Sequence, residues 1–485
     1  MARRQIIIVG GGFSGASAAV QLVRKIADPL AVTIVEPSPV IGPGLAYSTD
    51  DPSFRLNAIS GVHSIDVADP GHFTRWCEDQ GLMGSDPEAR LPNGEAFIRR
   101  RDFRRYLAET VQSHALQPNG STITHVRSRA DDLHLMDEGV EVSLDNGNSI
   151  VSDAVILAVG NAPLRRPDWT KGGTEGHPGL IPDPLRRGLD TIKPDARVLV
   201  VGAGLTALDI IASLLARGHS GPIKAISRRG LRPQPQAPRI FAPQADPPEP
   251  PVVPLDLLEG ELPDYAAAES LTALRLLRDM RRHAAETKAD GLGWQAGFDA
   301  VSLPLSRIWP RLPVEEKRRV LRHLRPFYDA HRFRTPPMTD LAVQASEGSG
   351  QVSFRKAALD SLDTQPDEQL VANLRMADGQ VIPETFDAVI NCTGFDTSRA
   401  IRHNPILDSL HDQGMISPHP TGLGIVTDAE NRVLAPGGAS IPQIRAIGPI
   451  TTGVFGDPLG VFFISAQIHR LIPGLARDLD VKLLS

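Results

Sequence analysis

A chain of 485 residues, 41% hydrophobic and 22% charged, is long enough to bury more than one core and lacks the bias of a disordered or fibrous sequence. Its formal net charge of −6 argues against a nucleic-acid-binding surface, and no apolar run approaches the length of a membrane span. The two cysteines, Cys77 and Cys392, form no C-x-x-C pair, which counts against a dithiol relay, and the 14 histidines show no metal-ligand spacing.

The start, Met1-Ala2-Arg3-Arg4, precedes an apolar stretch too short for a signal peptide, so a cytoplasmic protein is expected. Ile6-Ile7-Ile8-Val9 reads as a buried parallel strand and runs into Gly10-Gly11-Gly12-Phe13-Ser14-Gly15, followed by the helix-like Ala16 to Val23. This is a G-x-G-x-x-G fingerprint in strand–turn–helix context, and Gly10, Gly12, Ser14 and Gly15 are candidates to hold a dinucleotide pyrophosphate at the helix N-terminus. The next apolar run, Ala31 to Val35, ends in Glu36, about 20 residues further on, where a carboxylate binds ribose hydroxyls.

Asn57 follows Ser53-Phe54-Arg55-Leu56 and is either a ring-contacting residue or a turn-forming asparagine. In Arg99 to Arg105, Arg100 is a candidate for the pyrophosphate of the first site, or one of several arginines coating a helix. Val140 to Leu144 before Asp145-Asn146-Gly147 predicts a hairpin. Ala154 to Gly160 reads as a strand ending in glycine, echoed by Ala388 to Gly394. The pair suggests that the chain leaves a first domain, builds a second and returns, with Gly160 and Gly394 both bordering the first nucleotide.

Between the echoes lies a second fingerprint, Gly202-Ala203-Gly204-Leu205-Thr206-Ala207, after the strand Arg197 to Val201 and before a helix stopped at Gly218. The strand after it ends in Ser227-Arg228-Arg229-Gly230 rather than in an acid. Gly202, Gly204 and Thr206 are candidates for a second pyrophosphate, and Arg228 and Arg229 for the 2′-phosphate of NADPH, with a solvated basic turn and NADH use left open. A proline-crowded stretch from Pro233 to Pro254 then leads to helix-like segments at Tyr265 to Thr287 and Pro313 to Arg325, a lid or substrate wall. Near the C-terminus, Asp457 precedes the helix-like Val461 to Leu471, either capping it or lying beside the cofactor of the first site, whose negative charge the helix start would stabilise.

The expected architecture is α/β: two Rossmann-like dinucleotide-binding domains plus a mainly helical insert. Residues 1–165 and 351–485 form the first domain, 190–235 with flanking segments the second, and 236–350 the proline-rich linker and insert.

Several motifs together carry a resemblance: Ile41-Gly42-Pro43-Gly44-Leu45-Ala46-Tyr47, Leu56-Asn57, His72-Phe73-Thr74-Arg75-Trp76, Gly204-Leu205-Thr206, Ser227-Arg228-Arg229-Gly230, Arg322-His323-Leu324-Arg325-Pro326 and His331-Arg332. In architecture the chain resembles flavin-dependent N-hydroxylating and Baeyer–Villiger-type monooxygenases. It resembles more closely a bacterial group of FAD/NAD(P)-binding proteins that includes nitrosuccinate-forming aspartate N-monooxygenases, with FAD-dependent urate hydroxylase near it. One departure lies in Phe97 to Leu107, which lacks the proline, first tyrosine and glycine of the group's Phe-x-Pro-Arg-x-x-Tyr-Gly-x-Tyr-Leu.

The resemblance implies FAD on the first fingerprint and NADPH or NADH on the second. The partners are dioxygen and a small polar nitrogenous substrate, oxygenated through a flavin C4a-hydroperoxide, by amine N-hydroxylation or urate-type ring hydroxylation. It makes Asn57 the candidate to contact the flavin, and His331 and Arg332 the candidates for an anionic substrate, against a salt-bridged helix end. No metal, nucleic acid or membrane is expected. The alternatives are an NAD(P)H-flavin oxidoreductase with a non-oxygen acceptor and a non-catalytic flavin-binding protein.

Overall fold

The computed structural model describes residues 3–186, 188–237, 262, 266, 271–365, 369–457 and 459–484. The prolines from Pro238 to Pro254 and the residues around Tyr265 lie outside these.

The apolar run at the N-terminus forms β1 (Arg4–Val9), which pairs in parallel with β2 (Leu30–Val35) on one side and β7 (Ala154–Leu157) on the other. The sheet continues through β3 (Thr122–Val126) beyond β2, and through β16 (Ser440–Ala446) and β15 (Arg432–Leu434) beyond β7. Both faces of β1 are covered from Ile6 to Val9, which is why these four positions are all apolar rather than alternating. Ile6 and Ile8 face α1 (Phe13–Lys25), α3 (Arg100–Ser113) and α10 (Val461–Leu479). Ile7 and Val9 face the antiparallel sheet of β4 (Ala130–Leu135), β5 (Val140–Leu144) and β6 (Ser149–Ser152), together with α9 (Pro405–Asp412). The hairpin predicted at Asp145 to Gly147 joins β5 to β6, with Gly147 at φ +84°. A short helix, α2 (His72–Asp79), packs Phe73 against Phe103 and Tyr106.

The second sheet centres on β9 (Val198–Val201), flanked in parallel by β10 (Ile223–Ser227) and β14 (Ala388–Asn391), with β8 (Leu180–Ile181) outside β14. Beyond β10 runs β11 (Val352–Thr364), parallel to β10 in its first part and antiparallel to β12 (Leu370–Met376) in its second; β13 (Val381–Phe386) closes the edge. Helices α4 (Leu205–Ala216) and α8 (Pro337–Gly348) cover one face.

This topology corrects the expected boundary at residue 351. Residues 352–391 build the second sheet, and the chain rejoins the first only afterwards, through α9, β15 and β16. The two echoing strands mislead for a physical reason: β7 lies directly beside β1, and β14 directly beside β9. They hold equivalent places in two similar sheets, so their likeness marks a repeated role rather than a return.

Between α4 and α8 the insert contains α5 (Ala273–Ala289), α6 (Trp294–Ser302) and α7 (Arg325–Arg332), joined through a turn at Leu305–Ile308, a short helix at Val314–Arg319 and a wider, π-type turn at Val320–Leu324. Its core is Leu276, Val301, Ile308, Trp309 and Leu312. Gly297 lets α6 approach α5, since a Cβ there would lie 2.3 Å from the His283 backbone. The insert is tied to the first unit by Trp309 Nε1, which donates to Gly453 O at 2.9 Å, and by Arg318 Nη2, which donates to Pro420 O at 2.9 Å.

Candidate cofactor and substrate sites

At the first fingerprint the glycines are required by the backbone. Gly10 has φ +104°, and a Cβ on it would lie 2.4 Å from Ala158 O; one on Gly15 would lie 1.9 Å from Gly10 O. No side chain caps the first turn of α1, so its amides are open to an anion. Ser14 is buried against the Gly448 turn, its Oγ 2.7 Å from where a Gly448 Cβ would stand. Gly160 is left-handed at φ +75° with open space where a side chain would be.

Glu36 is pre-set at the end of β2: one carboxylate oxygen accepts from Gly11 N at 2.8 Å and the other from Ser38 N at 2.9 Å. It borders a cleft of about 630 Å³ that reaches across to the second unit, with Leu45, Asp51, Arg186 and Arg217 among its lining.

Arg100 is not available to that cleft's phosphates. Its Nη2 donates to Asp209 on α4 at 2.6 Å, its Nε to Arg55 O at 3.0 Å and its Nη1 to Ala46 O at 3.3 Å. It is a tie between the two units, which sequence position alone does not reveal. Burial pushes the Asp209 carboxyl up to about 6, against the pull of Arg100. Asp51 adds to the tie by accepting from Ser213 Oγ at 2.6 Å and from Arg217 Nη2 at 2.9 Å. Phe54, from the same first-unit segment, is packed in the second unit's core with Ile181, Leu208 and Ile211. Three residues on, Asn57 is half-buried, and its carbonyl accepts from Gln236 Nε2 at 3.1 Å. Gln236 is held in turn by Gln295 of α6.

At the second fingerprint, Gly202 has φ +124° and a Cβ would lie 2.1 Å from Cys392 O, whereas Gly204 opens onto free space at the uncapped start of α4, with Thr206 half-buried in its first turn. Gly394, expected beside the first nucleotide, lies three residues past the end of β14 at φ +82°, and its carbonyl accepts from Arg165 N at 2.9 Å. It therefore belongs to the second fingerprint's edge of the molecule. Arg228 is exposed. Arg229 is committed to the insert, donating to Arg322 O and His323 O and lying over the Phe327 ring at 5.6 Å.

The residues expected to bind substrate form a cluster between the insert and the C-terminal segment. The buried Asp457 carboxylate lies 3.3 Å from Arg332 Nε and accepts from Tyr328 OH at 3.2 Å. Asp457 does not cap α10, whose N-cap is Gly460 without a side-chain bond. Its other oxygen, Oδ1, is buried without a hydrogen-bond partner among the described residues. Arg332 also lies over Phe463 at 4.8 Å. His331 is packed in an aromatic group, 4.9 Å from the Trp294 ring and 5.9 Å from Phe298, with Nδ1 on Phe327 O; this is a packed helix end, not a free anion binder. Burial, reinforced by Asp457, pushes the Tyr328 hydroxyl well up.

Residues 7–162 match the family described as FAD-NAD(P)-binding, and residues 91–242 match L-lysine 6-monooxygenase/L-ornithine 5-monooxygenase. A sequence search of curated proteins gave no match. Among solved structures, the fold is similar to reduced ornithine hydroxylase from Pseudomonas aeruginosa (TM-score 0.61, 16% identity, 99% of this chain and 100% of that one). It is also similar to the Kutzneria sp. 744 ornithine N-hydroxylase with reduced FAD, NADP+ and L-ornithine (0.63, 14%, 98% and 99%). A third is the FAD-bound cadaverine monooxygenase of desferrioxamine biosynthesis from Erwinia amylovora (0.63, 11%, 98% and 95%).

Each family model covers about a third of the chain, and the solved structures share its fold.

The residues of this chain fit both nucleotides: glycines where side chains would strike backbone, two uncapped helix starts, an oriented ribose-type carboxylate and a cleft beside it. No described helix is long and apolar enough to cross a membrane. Sequence reasoning missed Asp209, Tyr328 and Gln236. Asp209 carried a signal, an acid in an otherwise apolar helix of Leu, Ile and Ala. The other two carried none.

Proposed function

We propose that this chain is an FAD-dependent, NADPH-consuming monooxygenase that N-hydroxylates a small primary amine. The observation that carries this reading is the match of residues 91–242 to the lysine/ornithine monooxygenase family, because that span includes Arg100 in the first unit, the whole second fingerprint and Gln236, which touches Asn57. FAD, when bound and reduced by NADPH, supplies the oxygen-activating chemistry.

The chain supplies placement. Glu36 takes the ribose of FAD, and Gly10, Gly12, Ser14, Gly15 and Gly160 allow its pyrophosphate to approach α1. Gly202, Gly204 and Thr206 do the same for NADPH at α4. Asn57, whose carbonyl accepts from Gln236 Nε2 three residues after the inter-unit contact at Phe54, is the residue this reading sets against the flavin. Arg332 and Asp457 give the substrate a half-buried cation and a buried anion, and Asp457 Oδ1 accepts a hydrogen bond from the incoming ammonium. The insert covering them excludes water.

The test is oxygen uptake and hydroxylamine formation by the purified yellow protein with NADPH and L-ornithine, L-lysine, cadaverine, L-aspartate or urate. Hydroxylamine formation with one of the amines supports the reading. NADPH oxidation that needs an added electron acceptor, with no oxygen uptake on any compound, overturns it.

A further inference from the structure

The cations around the end of β10 divide into two kinds. Arg229 is bonded to the carbonyls of Arg322 and His323, and Arg232 is paired with Glu347 at 2.8 Å and lies over the Phe354 ring at 4.7 Å. Both are occupied in holding the strand end to α8 and the insert. Arg228 and Lys356 differ: both are exposed, and neither makes a hydrogen bond or ion pair with another described residue.

These two cations come from different strands and converge. Ser227, the last residue of β10, is in register with Lys356 on β11. The turn after Ser227 then folds over that lysine, so that a Cβ on Gly230 would lie 3.2 Å from Lys356 Cβ. Arg228 is carried by this turn. Because β9, β10 and β11 are parallel here, Arg228 and Lys356 stand on the same edge of the sheet as the open approach at Gly204. A dinucleotide with its pyrophosphate at the start of α4 lays its adenosine ribose across the end of β10, the strand that follows the fingerprint helix. A substituent on the ribose 2′-oxygen then lies at that strand end, beside the neighbouring strand β11.

We propose that Arg228 and Lys356 together bind the 2′-phosphate of NADPH, while Arg229 fastens the helical insert to the second unit. Lys356 is far from the fingerprint in sequence, and only the pairing of β10 with β11 brings it to the site. This inference rests on the reading of Val198 to Ser227 as the NADPH half of the molecule.

The experiment is calorimetric titration of the full-length FAD holoenzyme with NADP+, NAD+, 2′,5′-ADP and 5′-AMP, for the native chain and for Lys356→Gln, Arg228→Gln, Arg229→Gln and Lys356→Arg. Lys356→Gln and Arg228→Gln are each expected to weaken NADP+ and 2′,5′-ADP by about tenfold, the scale of one charge-assisted bond to phosphate, with NAD+ and 5′-AMP within about twofold of native. Lys356→Arg is expected to restore most of the loss, and Arg229→Gln to leave the NADP+ to NAD+ ratio unchanged. As a second measurement, raising salt on the native protein is expected to weaken NADP+ more than NAD+.

The assignment is overturned if Lys356→Gln weakens NADP+ and NAD+ equally or neither of them, or if Arg229→Gln alone collapses the ratio. Failure of the native protein to bind any of the four nucleotides overturns the dinucleotide reading itself, and the phosphate assignment with it.

Discussion

Arg100 and Asp209 meet at 2.6 Å across the boundary between the two nucleotide units, with only 2% of the Asp209 side chain exposed. An acid so placed in the helix that starts at the second fingerprint is stable as a carboxylate only while the arginine of the other unit faces it. Removing Arg100 leaves an uncompensated buried charge, and Arg100→Met is expected to destabilise the protein by about 3–5 kcal/mol in denaturant unfolding. Asp209→Asn, which removes the charge itself, is expected to lose less.

The same carboxyl gives stability a pH dependence. Its folded value of about 6 lies above the ordinary 3.8, so between these values the folded chain holds a proton that the unfolded chain has released. That contribution favours folding at the acid end and is lost as pH rises from about 4 through about 6, by an amount on the order of 3 kcal/mol. The difference in unfolding free energy between the native chain and Asp209→Asn, followed across that range, is expected to fall with rising pH and to be flat above it.

Glycine substitutions should separate by what a Cβ meets. Gly202→Ala places a carbon 2.1 Å from Cys392 O at φ +124° and is expected to abolish NADP+ binding and lower the unfolding midpoint. Gly160→Ala, at φ +75° in open space, is expected to cost only about 1 kcal/mol of backbone strain. Thermal unfolding of both variants, with nucleotide titration of Gly202→Ala, checks the contrast.

How much of this was readable beforehand follows the range of the interaction. The fingerprints, the hairpin at Asp145 to Gly147 and the stop at Gly218 are local, because each is set by a handful of adjacent residues and their backbone angles. The roles of Arg100, Gly394 and Asp457 depend on partners far along the chain, which no local pattern reveals. Arg100 pairs with Asp209 rather than standing free for a phosphate, and Asp457 faces Arg332 and Tyr328 rather than capping the helix that follows it.

Glu36 stands at the end of β2, where the spacing from the fingerprint places it, and its two backbone bonds explain why the position is stiff. Glu36→Ala is expected to raise the FAD dissociation constant by at least about tenfold, since it removes a charged acceptor for ribose hydroxyls. The change is read from the flavin fluorescence released on dilution.

Phe54 has a consequence for anyone recombining this protein with its relatives. It is encoded in the first nucleotide unit, yet its ring is part of the second unit's interior, beside Ile181, Leu208 and Ile211. A chimera cut at the sheet boundaries would pull that ring out of one parent and offer it to a pocket shaped by another. Exchange of the NADPH half therefore has to carry the Asp51 to Asn57 loop with it, so the practical unit of inheritance is interleaved along the gene rather than contiguous.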